Sequence, residues 1–521
     1  MSFFDASQRN LVGAVAELAF CNPFEPRRID AERRALGRDG PAGSAVWSLD
    51  AGSPEGRPEL RELADRLAPA LSRARAKLAE GAKPSPADLA AYEDATLYLL
   101  YDRYRDRLEQ LYRTAAAGRG QGRGTTVKWW PAFEAEFDHL LRPAGAPLVT
   151  DYEPAHVLAC FFQIRRAFDA IFTAIVGRSP CLASLRARCW ESVFTADLRA
   201  YYRGLYRKMD GFPTLIVGPT GTGKELVAGA IGRSRYIAFD ADTRRFTEKI
   251  DGGFFALNPA ALPTPLIESE LFGHVRGAFT GAVCDHTGYL EACPPRGAVF
   301  LDEIGELDPA VQVKLLRVLQ TRTFSRVGET RSRTFAGKLI AATHRDLPGM
   351  MADGGFRTDF YYRLCADVVR TPSLREVLDG RPDDLQDLVR FLATQAAGDS
   401  PDAEALTQRA LDCVHRSYGR AYAWPGNVRE LEQCVRAHLI RRDYVPFCQE
   451  KSPKRVAKDW DGLFERADAT AESVLSRYAQ RVYEKSGTYA EAARVMDLDR
   501  RTVKRLLDAA RGASEMIVTA G

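Results

Sequence analysis

Leu215-Ile216-Val217-Gly218-Pro219-Thr220-Gly221-Thr222-Gly223-Lys224-Glu225 is the stretch on which the fold turns. Its first three residues are an apolar run that reads as a strand, and Leu226 to Ile231 behind it reads as helical. Between them Gly218, Gly221 and Gly223 allow backbone N–H groups to turn inward around an oxyanion. The start of the helix adds the positive end of its dipole, and Lys224 adds a point charge. Strand, G-x-x-x-x-G-K loop and helix, in that order, are the context in which this motif cradles the phosphates of ATP. The candidate nucleotide-binding residues are therefore Gly218, Pro219, Thr220, Gly221, Thr222, Gly223, Lys224 and Glu225. Glu225 stands where a Ser or Thr usually offers its hydroxyl to Mg²⁺.

Working outward, Phe254 to Leu257, Val299 to Leu301 and Lys338 to Ala342 are further short apolar runs separated by helical stretches, the pattern of an α/β core with a parallel sheet. After about Thr371 the pattern becomes helical, as expected of a small lid. Val299-Phe300-Leu301-Asp302-Glu303 places two carboxylates at the end of a strand. Asp302 is expected to hold Mg²⁺ and Glu303 to orient water, which moves the expectation from nucleotide binding to hydrolysis.

Length and composition set the frame. The chain has 521 residues, which at roughly 150 per domain predicts three or four folded units. With 45% hydrophobic and 27% charged residues it can bury ordinary cores, so disorder and collagen-like repeats are excluded. A net charge of +4 is too small for the whole protein to act as a polycation on nucleic acid, so any basic surface is local. The ten cysteines contain no CxxC, and the closest pairs are Cys181 with Cys189 and Cys284 with Cys293; neither zinc nor a disulfide framework is expected. The start MSFFDASQRN lacks a basic segment followed by an apolar run, so a cytoplasmic protein is expected. Val157 to Val176 is apolar but interrupted by Arg165, Arg166 and Asp169, and reads as an amphipathic helix rather than a membrane span.

The first 181 residues read as mainly helical, with Leu97, Tyr101, Tyr104, Leu108 and Leu111 forming an apolar stripe and Ser85-Pro86-Ala87-Asp88 opening a helix. GRGQGRG at 118–124 reads as a mobile loop. The acidic pair, phosphoacceptor aspartate and late lysine of a response-regulator receiver are missing from this part. Its expected role is sensory or inhibitory, for a ligand the sequence does not name.

Six ordered motifs carry a family resemblance over roughly residues 180 to 445: GPTGTGKE at 218–225, ESELFGHVRGAFTGA at 268–282, VFLDEIGEL at 299–307, AATHRDL at 341–347, FRTDFYYRL at 356–364 and WPGNVREL at 424–431. Together they resemble the AAA+ ATPases, and among these the bacterial activators of sigma-54 RNA polymerase. In that family Glu is the usual residue after the P-loop lysine. The resemblance implies that Asn258 is a switch restraining Glu303, that Thr343 is a sensor with His344 where many relatives have Asn, and that Pro259 stands where Cys is frequent. It further implies that Arg357 and Arg363 are arginine fingers reaching a neighbouring subunit, that Arg429 is the sensor of the lid, and that the chain forms a ring, expected to be a hexamer. Gly277, Ala278, Phe279, Thr280, Gly281 and Ala282 flank one aromatic with small residues, a loop expected to move easily and to present an exposed Phe279 with Thr280 to a partner. The resemblance makes that partner sigma-54 in the RNA polymerase holoenzyme.

Behind a charged stretch at 446–470, read as a linker, come three short helical patterns from about Glu472 to Lys485, Tyr489 to Met496 and Arg500 to Ala510. Ala492, Ala493, Val495, Leu498, Val503, Leu506 and Leu507 would form a small core. Asp499 would cap the last helix, leaving Arg500, Arg501, Thr502, Lys504 and Arg505 for double-stranded DNA. TYAEAARVMDLDRRTVKRLL at 488–507 resembles the Fis-type helix-turn-helix of the same activators. The expected organisation is multidomain: helical regulatory region (1–181), AAA+ α/β core (182–370), helical lid (371–445), linker (446–470) and helix-turn-helix (471–521). Two other readings stay open on sequence alone: a DNA-binding regulator whose ATPase is lost or only structural, and a ring remodeller of a different protein target.

Overall fold

The computed structural model describes residues 3–37, 58–116, 126–143, 148–249, 252–398, 401–417, 422–441 and 471–507. The expected loop at 118–124 and the expected linker at 446–470 lie outside them. Contacts divide the chain into two units, 1–444 and 445–521.

The first unit opens with helices α1 (Ala6–Phe20), α2 (Pro26–Leu36), α3 (Pro58–Ala79), α4 (Pro86–Ala116), α5 (Trp130–Leu141), α6 (Pro154–Ala174), α7 (Pro180–Phe194) and α8 (Leu198–Arg203). Proline sits in the first turn of several of them, where its missing N–H costs nothing. The start expected for α4 is found, with Ser85 Oγ accepting from the Asp88 N–H at 3.1 Å. Strands and helices then alternate: β1 (Thr214–Val217), α9 (Lys224–Arg233), β2 (Phe239–Asp240), β3 (Arg245–Phe246), β4 (Phe254–Leu257), α10 (Thr264–Phe272), α11 (Tyr289–Ala292), β5 (Ala298–Leu301), α12 (Pro309–Thr321), β6 (Thr323–Phe324), β7 (Arg333–Thr334), β8 (Lys338–Thr343), α13 (Leu347–Ala352), α14 (Thr358–Leu364) and β9 (Asp367–Arg370). The lid is α15 (Leu374–Gly380), α16 (Asp384–Ala397), α17 (Pro401–Ser417) and α18 (Asn427–Arg441).

Five strands form one sheet in the order β4-β5-β8-β1-β9, parallel throughout. Thr214 pairs with Ile340 on one side and Asp367 on the other, and Leu257 pairs with Leu301. β8 is buried along its whole length, which is why it reads as an unbroken apolar run. The period-2 pleat sorts its neighbours cleanly. Ile216, Phe300, Ile340 and Ala342 face one core, while Leu215, Val299, Leu301, Leu339 and Ala341 face the other, formed with α10, α12 and α14.

The first of these cores changes the expected organisation. It runs without a break from Phe20 through α4, α5, α6 and α7 to Val227, Ala228 and Ile231 of α9 and the sheet itself. α6 lies against α9: Gln163 donates to the Ser234 carbonyl at 2.9 Å, and the buried Arg166 donates to the carbonyls of Arg233 and Arg235. No break in packing falls at residue 181. Sequence periodicity finds the helices but cannot say that their apolar faces are spent on the sheet. A second tie reaches the lid, where the buried Asp384 accepts from the backbone N–H groups of Arg178 at 2.8 Å and Ser179 at 2.7 Å. None of the described helices is long and apolar enough to cross a membrane.

The second unit holds α19 (Ala471–Ser486), α20 (Tyr489–Met496) and a helical stretch at 500–507. Ala479, Val482, Ala492, Ala493, Val503, Leu506 and Leu507 form its core. Val495, expected inside, is 55% exposed. Tyr483 and Tyr489, with ring centroids 4.7 Å apart, and Met496 and Leu498 pack against the core instead.

Candidate functional site

β5, β8 and β1 are neighbours in the sheet, so their carboxyl ends bring the P-loop, Asp302 with Glu303, and Thr343 to one edge. Chain order reverses there, since β1 has β8 on one side and β9 on the other, and such a switch point leaves a crevice for a ligand.

Gly221 and Gly223 have φ of +79° and +85°, the left-handed region that favours glycine. At Gly221 a Cβ would also lie 2.3 Å from the Gly426 carbonyl oxygen, so the lid closes directly on the loop. The Gly218 N–H donates to the Thr343 carbonyl at 3.3 Å, joining the P-loop to the expected sensor. Lys224 Nζ donates to the carbonyls of Gly218 at 3.0 Å and Pro219 at 3.2 Å. Burial lowers its pKa; the charges of Glu303 and Asp302 work against that shift and Arg429 adds to it. These four side chains therefore share one electrostatic site. Thr222 Oγ1 lies 2.7 Å from Thr371 Oγ1, fixing the far rim of the loop. Glu225, in the first turn of α9, is exposed.

Asp302 accepts from the Glu303 N–H at 3.0 Å, and its pKa is raised by burial first and by the neighbouring Glu303 carboxylate second. Glu303 is left-handed at φ +49°, which turns its carboxylate away from the strand direction. His344 holds that carboxylate: Nδ1–H donates to Glu303 Oε2 at 2.6 Å and the His344 backbone N–H at 3.3 Å. The expected restraint by Asn258 is not formed. Asn258 Oδ1 instead accepts from the Ala260 N–H at 2.9 Å, capping the short 3-10 turn that begins at Pro259. Thr343 is fully buried and its Oγ1 accepts from the Arg345 N–H at 3.0 Å.

The lid approaches through the start of α18. Arg429 donates its backbone N–H to Gly221 O at 3.3 Å while its side chain stays exposed. Asn427, which the sequence reading did not single out, bridges the two parts. Its Nδ2 donates to Thr220 O at 2.9 Å and its Oδ1 accepts from the Leu374 N–H at 2.8 Å. Its signal was available, since Asn after Pro-Gly at a helix start tolerates the left-handed φ of +52° found there.

Arg357 and Arg363 lie at the two ends of α14, both exposed. Arg357 pairs with Asp359 at 2.8 Å, and Arg363 Nε donates to Leu319 O at 3.4 Å. Tyr362 between them is 74% exposed.

In the loop after α10, Gly277 N–H donates to Ala282 O at 2.8 Å and Ala282 N–H to Phe279 O at 3.0 Å, closing a tight hairpin. The expectation of an exposed Phe279 is corrected. The ring is half-buried and packs edge-on against His274 at 4.9 Å, because the closed hairpin folds it back. Thr280 and Gly281 are exposed, and Val283 beside them is 80% exposed.

In the second unit Asp499 caps the helical stretch 500–507, accepting from the N–H groups of Arg501 at 2.9 Å and Thr502 at 3.0 Å. Arg500, Arg501, Lys504 and Arg505 are exposed and Thr502 is half-buried.

The parallel sheet, P-loop, acidic strand end and capping helical lid define the class as an AAA+ ATPase unit, and the known families agree. A model of the AAA+ ATPase lid domain matches residues 380–445, and one of the sigma-54 interaction domain matches residues 199–370. Residues 199–370 and 380–445 are thus similar to the two parts of a sigma-54-interacting AAA+ unit. The chain is 41% identical over 263 residues to the DNA-binding transcriptional regulator NtrC of Azospirillum brasilense, covering 50% of this chain and 47% of that one. It is 43% identical over 234 residues to the Nif-specific regulatory protein of Herbaspirillum seropedicae, covering 44% and 39%. Against the transcriptional regulatory protein GlrR of Escherichia coli it is 42% identical over 276 residues, covering 51% and 57%. The chain spans about half the length of the curated relatives it matches.

Proposed function

We propose that this chain is an ATP-driven transcription activator that remodels sigma-54 RNA polymerase. The observation that carries the reading is that neighbouring strand ends bring the P-loop with Lys224 and the Asp302–Glu303 pair to one sheet edge, with the lid held on the loop by the Arg429 N–H, while the two further expected cations, Arg357 and Arg363, lie exposed on α14 and engage Asp359 and Leu319 instead.

The inward N–H groups of the P-loop and Lys224 would hold the ATP phosphates. Glu303, oriented by His344, would position water for attack on the γ-phosphoryl group and accept its proton. Hard carboxylate oxygens on Asp302, with Glu225 nearby in the first turn of α9, are the donor type that suits Mg²⁺, and the residues therefore fit it. When bound, Mg²⁺ supplies neutralisation of phosphate charge. Arg357 and Arg363 from a neighbouring copy would complete the site, which makes the working form a ring, read as a hexamer, and gives Tyr362 a surface to cover.

Hydrolysis would reach the polymerase through Gly277, Ala278, Phe279, Thr280, Gly281 and Ala282. The half-buried Phe279 supports a loop that is cocked against His274 and released with the nucleotide state. The exposed bases of the second unit suit upstream double-stranded DNA, and Asp499 orders the helix that carries them.

ATP turnover per subunit should rise with protein concentration, and Arg357→Ala or Arg363→Ala should lower it by about 10³-fold at saturating protein. A rate per subunit that stays flat with concentration would refute the shared site.

A further inference from the structure

We infer that the lid contains a binding site for a thiophilic divalent cation, Zn²⁺ in first place, built from Cys413, Cys434 and His438. It is independent of the nucleotide site. One ligand atom from each of the three residues lies within 4.8 Å of the others, and all three residues are buried. Cys434 and His438 are one turn apart on α18 and so share a face, while Cys413 comes from α17 across the lid core.

The histidine is in the tautomer that a ligand requires. His438 Nδ1 lies 2.8 Å from the Cys434 carbonyl oxygen, which can only accept, so the proton is on Nδ1 and Nε2 keeps its lone pair. Metal-binding imidazoles characteristically donate the other ring N–H in this way. Cys434 Sγ lies 4.0 Å from Nδ1 of the same ring, which places the imidazole beside the sulfur. Ligands about 2.0 to 2.3 Å from a tetrahedral Zn²⁺ are roughly 3.5 to 3.8 Å apart, so a cluster within 4.8 Å closes on the ion when its side chains draw in by about 1 Å. Two thiols and an imidazole are a soft donor set, unlike the hard oxygens at Asp302. Binding releases one proton from each thiol, and the two thiolates cancel the charge of the cation, leaving the lid core neutral. The fourth position falls to water or a small exogenous ligand.

The site runs against the expectation from cysteine spacing, to which it is invisible: Cys413 and Cys434 lie on different helices, and a Cys-x-x-x-His pair reads as ordinary helix. The consequence for the molecule is a clamp between α17 and α18, and α18 carries Asn427 and Arg429 onto the P-loop.

The test is a Co²⁺ titration of the reduced full chain, read by absorption. One equivalent should bind with a thiolate-to-cobalt charge-transfer band, Zn²⁺ should displace it, and Zn²⁺ should raise the melting temperature of the wild-type chain. Cys434→Ser and Cys413→Ser should each lose the band, and Cys284→Ser, which alters an exposed cysteine, should keep it. The wild-type titration stands even if a variant fails to fold. No band in the wild-type chain, a band that survives Cys434→Ser, or a Cys413–Cys434 disulfide forming in place of cobalt uptake would each overturn the site.

Discussion

Asp302 and Asn427 show how the site sets stability against function. The folded-state pKa of Asp302 lies above its unfolded value, chiefly through burial, so its ionised form costs stability at neutral pH. Asp302→Asn removes that cost. The variant should melt at a higher temperature than the wild type while losing ATP turnover, as calorimetry and a phosphate-release assay would show; a lower melting temperature would mean the carboxylate is compensated. Asn427 does two jobs that substitution can separate. Asn427→Gly loses both hydrogen bonds and leaves the buried Leu374 N–H unpaired, at about 1 to 3 kcal/mol, but keeps the backbone comfortable. Asn427→Ala should cost about 1 kcal/mol more, because φ there is positive. Equal melting temperatures for the two would deny that the left-handed backbone matters.

Among the elements, the β1, β5 and β8 runs and the loops at their ends were legible because each demands a residue type locally: glycine for the turn, carboxylates after a strand, β-branched or aliphatic residues within. β9 and the paired strands β2–β3 and β6–β7 were not, since two-residue strands carry no period and Asp367–Arg370 alternates too weakly to stand out. The turn before β1 carries a pH dependence of its own. Burial pushes Asp210 up to about 6, although Arg296, Arg322, Lys338 and Arg235 pull the other way. A carboxyl whose folded pKa is raised binds its proton more tightly in the native state, so stability falls as pH rises from about 4 to about 6. Melting temperatures should show this fall in the wild type, and Asp210→Asn should flatten it. A fall of the same size in the variant would assign it to another group.

For the whole molecule, what the sequence could not display is the shared core. The stripe through Leu97, Tyr104, Leu108 and Leu111 was readable as apolar, yet only the structure shows that it joins a core continuous with α9 and the sheet. A chain that begins at residue 182 should therefore not behave as a released ATPase. It would expose the apolar side of α9 and the sheet face beneath α6, where burial contributes roughly 25 cal/mol per Å². We expect aggregation and strong binding of a hydrophobic dye; a soluble chain with a sharp melting transition would restore a modular boundary at 181. The same continuity gives any signal reaching the first helices a packed route to the P-loop helix, through Gln163 and Arg166 at the end of α9.

On the proposed function, ATP hydrolysis reaches the polymerase through the 277–282 hairpin. Open-promoter formation and phosphate release should be followed in one reaction containing sigma-54 holoenzyme, promoter DNA, ATP and the Thr280→Ala protein. Thr280 is exposed and remote from the P-loop in the chain, so phosphate release should stay within about twofold of wild type while open complexes disappear. Open complexes formed at the wild-type rate by that variant would mean that the hairpin does not transmit hydrolysis to the polymerase.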